Sequence, residues 1–353
     1  MDTIGPEGPT LMEKFLGLFH LPYVVICLIL GALLGPVGQF LATYTETSDF
    51  GESFRRTVLV AFGTNNQLSI EAGVAASVGY ALVIFYLLYG TRYMRTRVAS
   101  SESKLSELTP LEKETFRKSF GGISRNRGPL AIAVIYSIIF VPYYASTSLQ
   151  SSGLFLISYG ISSNIITGIV VGTFIWVYGR SLWGLHMFGK ENLQLKSFYE
   201  DRTMGLRPMG SLALSLAFAF FVLCGLGMLL IFISPDLVSL VTVAVMTAFG
   251  GFMFVLTLNG IHRKMQMEKQ LSQLKVRKDF IKLVDQPDSE RAHDSGATMI
   301  EVRKLLSHQL MEQKASSIAS WPFDTGIVGR FTAIVLSVTA ILLSTLIRQL
   351  LHF

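Results

Sequence analysis

Within the long apolar stretches of this chain, the side chains able to do chemistry are few, and none is Asp, Glu, Lys or His. Asn164, flanked by Ser162 and Ser163, is the most polar point inside any of them. An amide and two hydroxyls there suit either a ligand-facing hydrogen-bonding group or an interhelical hydrogen bond worth about 1 kcal/mol. A second set lies near the C-terminus, where Ser337, Ser344 and Arg348 follow one another at intervals of seven and four residues. That spacing puts all three along one side of a helix, with Thr332 and Thr339 forming a second weakly polar line. A helix with hydroxyls down one side can line a narrow pore gated by dewetting. The same pattern arises when the hydroxyls bond back to their own helix, with no pore at all.

Other chemistries find no residues. The six histidines, His20, His186, His262, His293, His308 and His352, show no metal-ligand spacing. Cys27 and Cys224 both fall inside apolar runs, so neither a disulfide framework nor a CxxC pair is present. There is no HExxH, Walker loop, GxSxG elbow or GxGxxG. Charge-free span cores argue against carboxylate-coupled transport and arginine voltage sensing, and the lack of intramembrane histidine argues against haem. The expectation is a protein without enzymatic activity, cofactor or bound metal.

The elements that must position these residues are membrane helices. Of 353 residues, 50% are apolar and only 15% charged, against about a quarter charged in soluble globular chains. A bilayer core needs about 20 largely apolar residues per helix. Seven stretches qualify: 21–41, 72–89, 130–146, 154–178, 211–233, 237–258 and 327–347. Pro142 interrupts the third, and Ser234, Pro235 and Asp236 alone separate the fifth from the sixth. Residues Met1 to Thr10 lack the basic flank of a secretory signal, so the first stretch is expected to remain as a true span.

Orientation follows from lysine and arginine, which are retained on the cytoplasmic side. With seven spans, 27 of the 30 basic residues fall on one side, leaving Arg55, Arg56 and Arg348 on the other. The N-terminus and large loops are therefore expected in the cytoplasm, the C-terminus outside, and the protein in the cell membrane. The net charge of +6 divides into about +8 inside and −2 outside, so it reports orientation rather than a nucleic-acid partner. Trp176, Trp183 and Trp321 map to cytoplasmic span ends, where aromatic belts anchor helices; stacking on a ligand is the alternative use.

Three parts result: a six-helix bundle over 1–260, a cytosolic helical hairpin over 261–324, and a seventh transmembrane helix over 325–353. On the outer side lie a loop of about 30 residues from Thr43 to Glu71 and short turns, so anything recognised there must be small. On the inner side, Thr109-Pro110-Leu111-Glu112 predicts a capped amphipathic helix ending at Gly121-Gly122. Span six is expected to continue into the cytosol through Ile261, Met265, Leu271, Leu274 and Ile281. Thr298 to Glu301 opens a second helix, closed by Pro322, with Asp324 capping the last span. This helix pair is either a solvated connector or an assembly surface. Small residues at contact spacing, Gly31/Gly35, Gly160/Asn164/Gly168/Gly172 and Ser211/Ser215/Ala219, predict close packing within one subunit ahead of a dimer interface. Gly250-Gly251 reads the same way.

This layout of seven spans, inside N-terminus, short outer loops and a cytosolic helix feeding the last span resembles the insect odorant and gustatory receptor-like superfamily of seven-helix ion channels. The resemblance lies in layout: the gustatory signature of the last helix (threonine, tyrosine, five apolar positions, glutamine, phenylalanine) is replaced by Ser344-Thr345-Leu346-Ile347-Arg348-Gln349-Leu350. It implies an anchor helix at Met299 to Ser317 where subunits meet, a homo-tetramer, a pore helix at Ile327 to Ile347 and a small-molecule pocket in the outer half of the bundle. The functional expectation is a ligand-gated channel or chemoreceptor-like protein. The alternatives are a facilitator for an uncharged small solute and a non-catalytic subunit whose basic face recruits a cytosolic partner or anionic lipid.

Overall fold

A computed structural model describes residues 8–60, 70–109, 112–148, 153–191, 193–194, 203–233 and 237–284, with single helical positions between 306 and 347. All regular structure among them is helical. Eleven helices follow in order: α1 (Leu11–Gly17), α2 (Tyr23–Leu34), α3 (Pro36–Thr47), α4 (Phe50–Val60), α5 (Ile70–Ser100), α6 (Glu102–Ser106), α7 (Glu112–Phe120), α8 (Arg127–Ser148), α9 (Leu154–Lys190), α10 (Arg207–Ile233) and α11 (Leu237–Val284).

Five of these are long and apolar enough to cross a membrane: α5, α8, α9, α10 and α11. Helices α2 and α3, bent by 41° against each other at Gly35, meet the same criterion only as a pair, which is the geometry of one broken span or of a re-entrant loop. The first apolar stretch is thus a broken helix rather than a straight one. The stretch 327–347 lies largely outside the described residues, and its described positions are helical. Outward side chains of α8 (Val134, Ile135, Ile138, Ile139) and α11 (Val241, Val245, Phe252, Val255) are all more than half exposed. Surfaces of that apolar extent are at home in lipid, not water. The chain is a membrane-embedded helical protein.

Helix α9 is the hub. It packs against α5, α3, α7, α8, α10 and α11, and from Gly168 to Gly189 it buries Phe174, Val177, Tyr178, Leu182, Leu185 and Phe188. Tyr178 stacks on Phe220 of α10 at 4.2 Å between ring centres and donates to the Gly250 carbonyl of α11 (2.9 Å). Small residues let the helices approach closely. A Cβ on Gly31 would lie 2.7 Å from the Ala81 carbonyl oxygen, and one on Gly250 would lie 2.5 Å from the Phe220 ring. The glycine spacings therefore serve packing within the chain.

One expectation for the connections changes. The stretch from Thr43 is not a loop throughout: α3 runs to Thr47, Ser48 takes a left-handed conformation (φ 55°), and α4 begins at Phe50. Asp49 caps α4, accepting from the amides of Gly51 (2.7 Å) and Glu52 (3.3 Å). Helix α8 runs through Pro142 without a break. By contrast, α7 stops at Phe120 ahead of Gly122 (φ 95°), as the glycine pair predicts, and α11 continues to Val284. The first arm of the hairpin over 261–324 is simply the end of α11; Thr298, Glu301, Trp321, Pro322 and Asp324 lie outside the described residues.

Candidate ligand site at the broken first span

The break is built by Gly35-Pro36. Pro36 has no amide hydrogen and stands at the first position of α3, where its absence is harmless, but α2 is left with unpaired carbonyls at its end. In a bilayer such groups must find partners within the protein. Two come from α9: the Tyr159 hydroxyl donates to the Leu33 carbonyl (2.7 Å) and the Ser163 hydroxyl to the Leu34 carbonyl (3.0 Å). Gly38 must stay a glycine, because a Cβ there would meet both the Leu33 oxygen and the Tyr159 hydroxyl.

Tyr159, Ser163 and Thr167 are four residues apart and so form one stripe on α9. Thr167 pairs with the hydroxyl of Tyr80 on α5 (2.8 Å). The cluster thus joins α2, α5 and α9 through oxygen atoms alone, with Ser163 and Thr167 buried and Tyr159 half-buried. Every hydroxyl retains lone pairs, and none carries charge. Chemically the set can hydrogen-bond a small neutral molecule.

Of the residues singled out in the sequence, Ser163 belongs to this cluster. Ser162 is exposed and donates to the Ser158 carbonyl one turn back (2.8 Å). Asn164 donates to the Gly160 carbonyl of its own helix (2.9 Å), so its amide makes an intrahelical bond. Ser337 and Ser344 likewise bond to their own helix, at the Ala333 (2.7 Å) and Ile341 (2.9 Å) carbonyls, and both are exposed. Arg348 lies outside the described residues. Tyr80, Tyr159 and Thr167 were not anticipated. The Gly35-Pro36 dipeptide and the i, i+4 spacing of Tyr159, Ser163 and Thr167 were the signals that could have found them.

A second polar assembly sits at the other end of α9. Trp176 donates from Nε1 to the Gly122 carbonyl (3.1 Å), and Arg180 donates from Nε (2.9 Å) and its terminal nitrogen (2.5 Å) to the Gly121 carbonyl. These side chains cap the C-terminus of α7, where a cation is favoured. Phe116 and Phe120 of α7 then pack on Phe188 of α9. Trp176 thus also serves as a capping residue of α7, while Trp183 is exposed. Replacing Arg180 with methionine is expected to weaken the docking of α7 by about 1.5–3 kcal/mol, the worth of hydrogen bonds to a charged donor. Faster limited proteolysis between residues 107 and 125 would report it.

No family model, curated protein or solved structure matches the chain.

Proposed function

We propose that this is a seven-span membrane protein, N-terminus in the cytoplasm and C-terminus outside, that recognises a small uncharged solute at the broken first span and passes it across the cell membrane as a facilitator. The carrying observation is the break itself: helix interruption inside a membrane is tolerated where the backbone is buried in protein or lines a polar cavity, and solute sites of transporters are built at such breaks. Here the surrounding groups are hydroxyls and carbonyls without a charge, which matches a neutral hydrogen-bonding solute. In the proposed orientation the cluster lies in the outer half of the bundle. The resemblance to the insect receptor-like channels implies a pocket in that same half, so a chemoreceptor-like, ligand-gated tetramer would use the same recognition residues. Ser337 and Ser344 donate back to their own helix, so only their acceptor lone pairs would face the pore of that second reading.

Liposomes carrying the purified protein would be tested by stopped-flow light scattering with a panel of neutral solutes such as glycerol and urea, alongside bilayer recordings. Solute entry without current is the expected result. Tyr159→Phe combined with Ser163→Ala should cut the rate on the order of tenfold, equivalent to about 1.4 kcal/mol, in protein that still elutes as a single species. Current that rises with a solute would instead assign the channel, and silence in both assays would remove both readings.

A further inference from the structure

We propose that α1 and the linker joining it to α2 form a membrane-surface segment, seated in the headgroup layer of a bilayer containing anionic lipid. The observation is a helix with two unlike faces whose orientation is fixed. On the inner face Met12, Glu13 and Leu16 are buried. Glu13 is ion-paired with Arg95 of α5, with both side chains under a tenth exposed. Arg95 also holds the Gly8 carbonyl (2.9 Å), to which Ser124 donates as well (2.6 Å). These contacts pin α1 to the end of a membrane span and leave its outer face no freedom to turn inward.

That outer face is apolar. Leu11 is 37% exposed, Phe15 47%, Leu18 69%, Phe19 54% and Leu21 50%. Five large apolar side chains within eleven residues form a patch of the kind that a water-facing surface avoids. They also continue directly into the outward face of α2, where Val24, Val25, Leu28 and Ile29 are exposed in the same way. A surface continuous with the lipid-facing side of a span, and immobile relative to it, has lipid as its neighbour. The polar groups in the segment are placed for the headgroup layer. Lys14 stands exposed on the outer face, and the Arg92 guanidinium lies 4.4 Å over the ring of Tyr23, where α2 begins. Amphipathic segments with aromatic and leucine residues on one side and lysine or arginine at the rim bind in this layer, more tightly when the lipid is anionic.

The test uses the full-length protein with Cys27 and Cys224 replaced by alanine and a nitroxide attached at Phe15→Cys, Phe19→Cys or, as a reference inside the span, Ile29→Cys. Each is reconstituted in phosphatidylcholine vesicles with or without phosphatidylglycerol. Accessibility to dissolved oxygen and to a water-soluble nickel relaxer is then measured. Labels at 15 and 19 are expected to favour oxygen over nickel, approaching the reference, and more so with phosphatidylglycerol. Lys14→Glu should abolish that lipid dependence. Nickel accessibility at both positions in both vesicle types would overturn the proposal and assign the face to water or to a protein partner. Oxygen accessibility indifferent to phosphatidylglycerol would overturn its anionic-lipid component. Photolabelling of the unmodified protein by a diazirine lipid gives an independent reading: label within residues 8–21 supports the proposal, and its absence there counts against it.

Discussion

Arg95→Met is expected to destabilise the protein by about 3–5 kcal/mol, the cost of leaving one member of a buried ion pair without the other. The physical situation meets that description. Arg95 is 5% exposed and its partner Glu13 8% by side chain. The Glu13 carboxylate also closes a capping box, accepting from the Thr10 amide (2.9 Å) and hydroxyl (3.1 Å) while the Glu13 amide donates to Thr10 Oγ1 (3.3 Å). Without Arg95 the carboxylate stays buried with only those neutral donors, and the Gly8 carbonyl loses its guanidinium. Arg95→Lys should lie between mutant and parent, because an ammonium keeps the charge but loses the fork that reaches two acceptors. The double variant Glu13→Met/Arg95→Met should recover most of the loss, since apolar replacements of a whole buried pair are often neutral. Thermal unfolding of the detergent-solubilised protein, with protease cleavage before residue 18 as a local readout, separates these cases. A single Arg95→Met variant as stable as the parent would show that the pair is inert.

Five of the spans were legible because hydropathy counts apolar side chains, and Leu154 to Tyr178 or Ser211 to Ile233 contain little else. What hydropathy cannot register is where a hydrogen-bond ladder stops. Gly35-Pro36 lies inside an unbroken apolar run, so the first span reads as continuous although its amide ladder breaks there. Polarity ranking misled in a related way within α9. Asn164 is the most polar residue of that stretch, but the adjacent Ser163, about 100° further round the helix, faces the break. Deciding between them takes the phase of the helix against its neighbours, which no single segment contains. Some local signals were present and unread. Thr10-x-x-Glu13 and Asp49-x-x-Glu52 open α1 and α4 with the same kind of start that Thr109-x-x-Glu112 announces for α7. Arg95 was one more basic residue in a loop count, because its partner lies 82 positions earlier and only the fold brings Glu13 to it.

The packing of α8 should be the weakest point of the bundle, and Gly172→Val is expected to expose it. Among the described residues α8 packs extensively on α9 alone, and its outward side is apolar and lipid-facing. With lipid tails as apolar as leucine, no hydrophobic force holds two such helices together; close contact between their backbones does. A Cβ on Gly172 would stand 2.5 Å from the Pro129 carbonyl oxygen and 3.1 Å from the Ala133 amide nitrogen, both backbone atoms that cannot swing aside. On the same stripe, a Cβ on Gly168 would come within 2.9 Å of the Tyr136 ring and 3.2 Å of the Ala133 carbonyl oxygen. Overpacking of this kind costs about 1–3 kcal/mol per site. Because α8 leans extensively on no second helix among the described residues, the strain is expected to be relieved by separation rather than by repacking. Cysteine pairs placed across the contact between α8 and α9 should crosslink readily in a cysteine-free parent and poorly with Gly172→Val. Gly225→Val in α10, where an added Cβ meets nothing within 4 Å, is the matched control and should leave both crosslinking and stability unchanged. Equal crosslinking in the two valine variants would mean that α8 is held by something other than the glycine stripe.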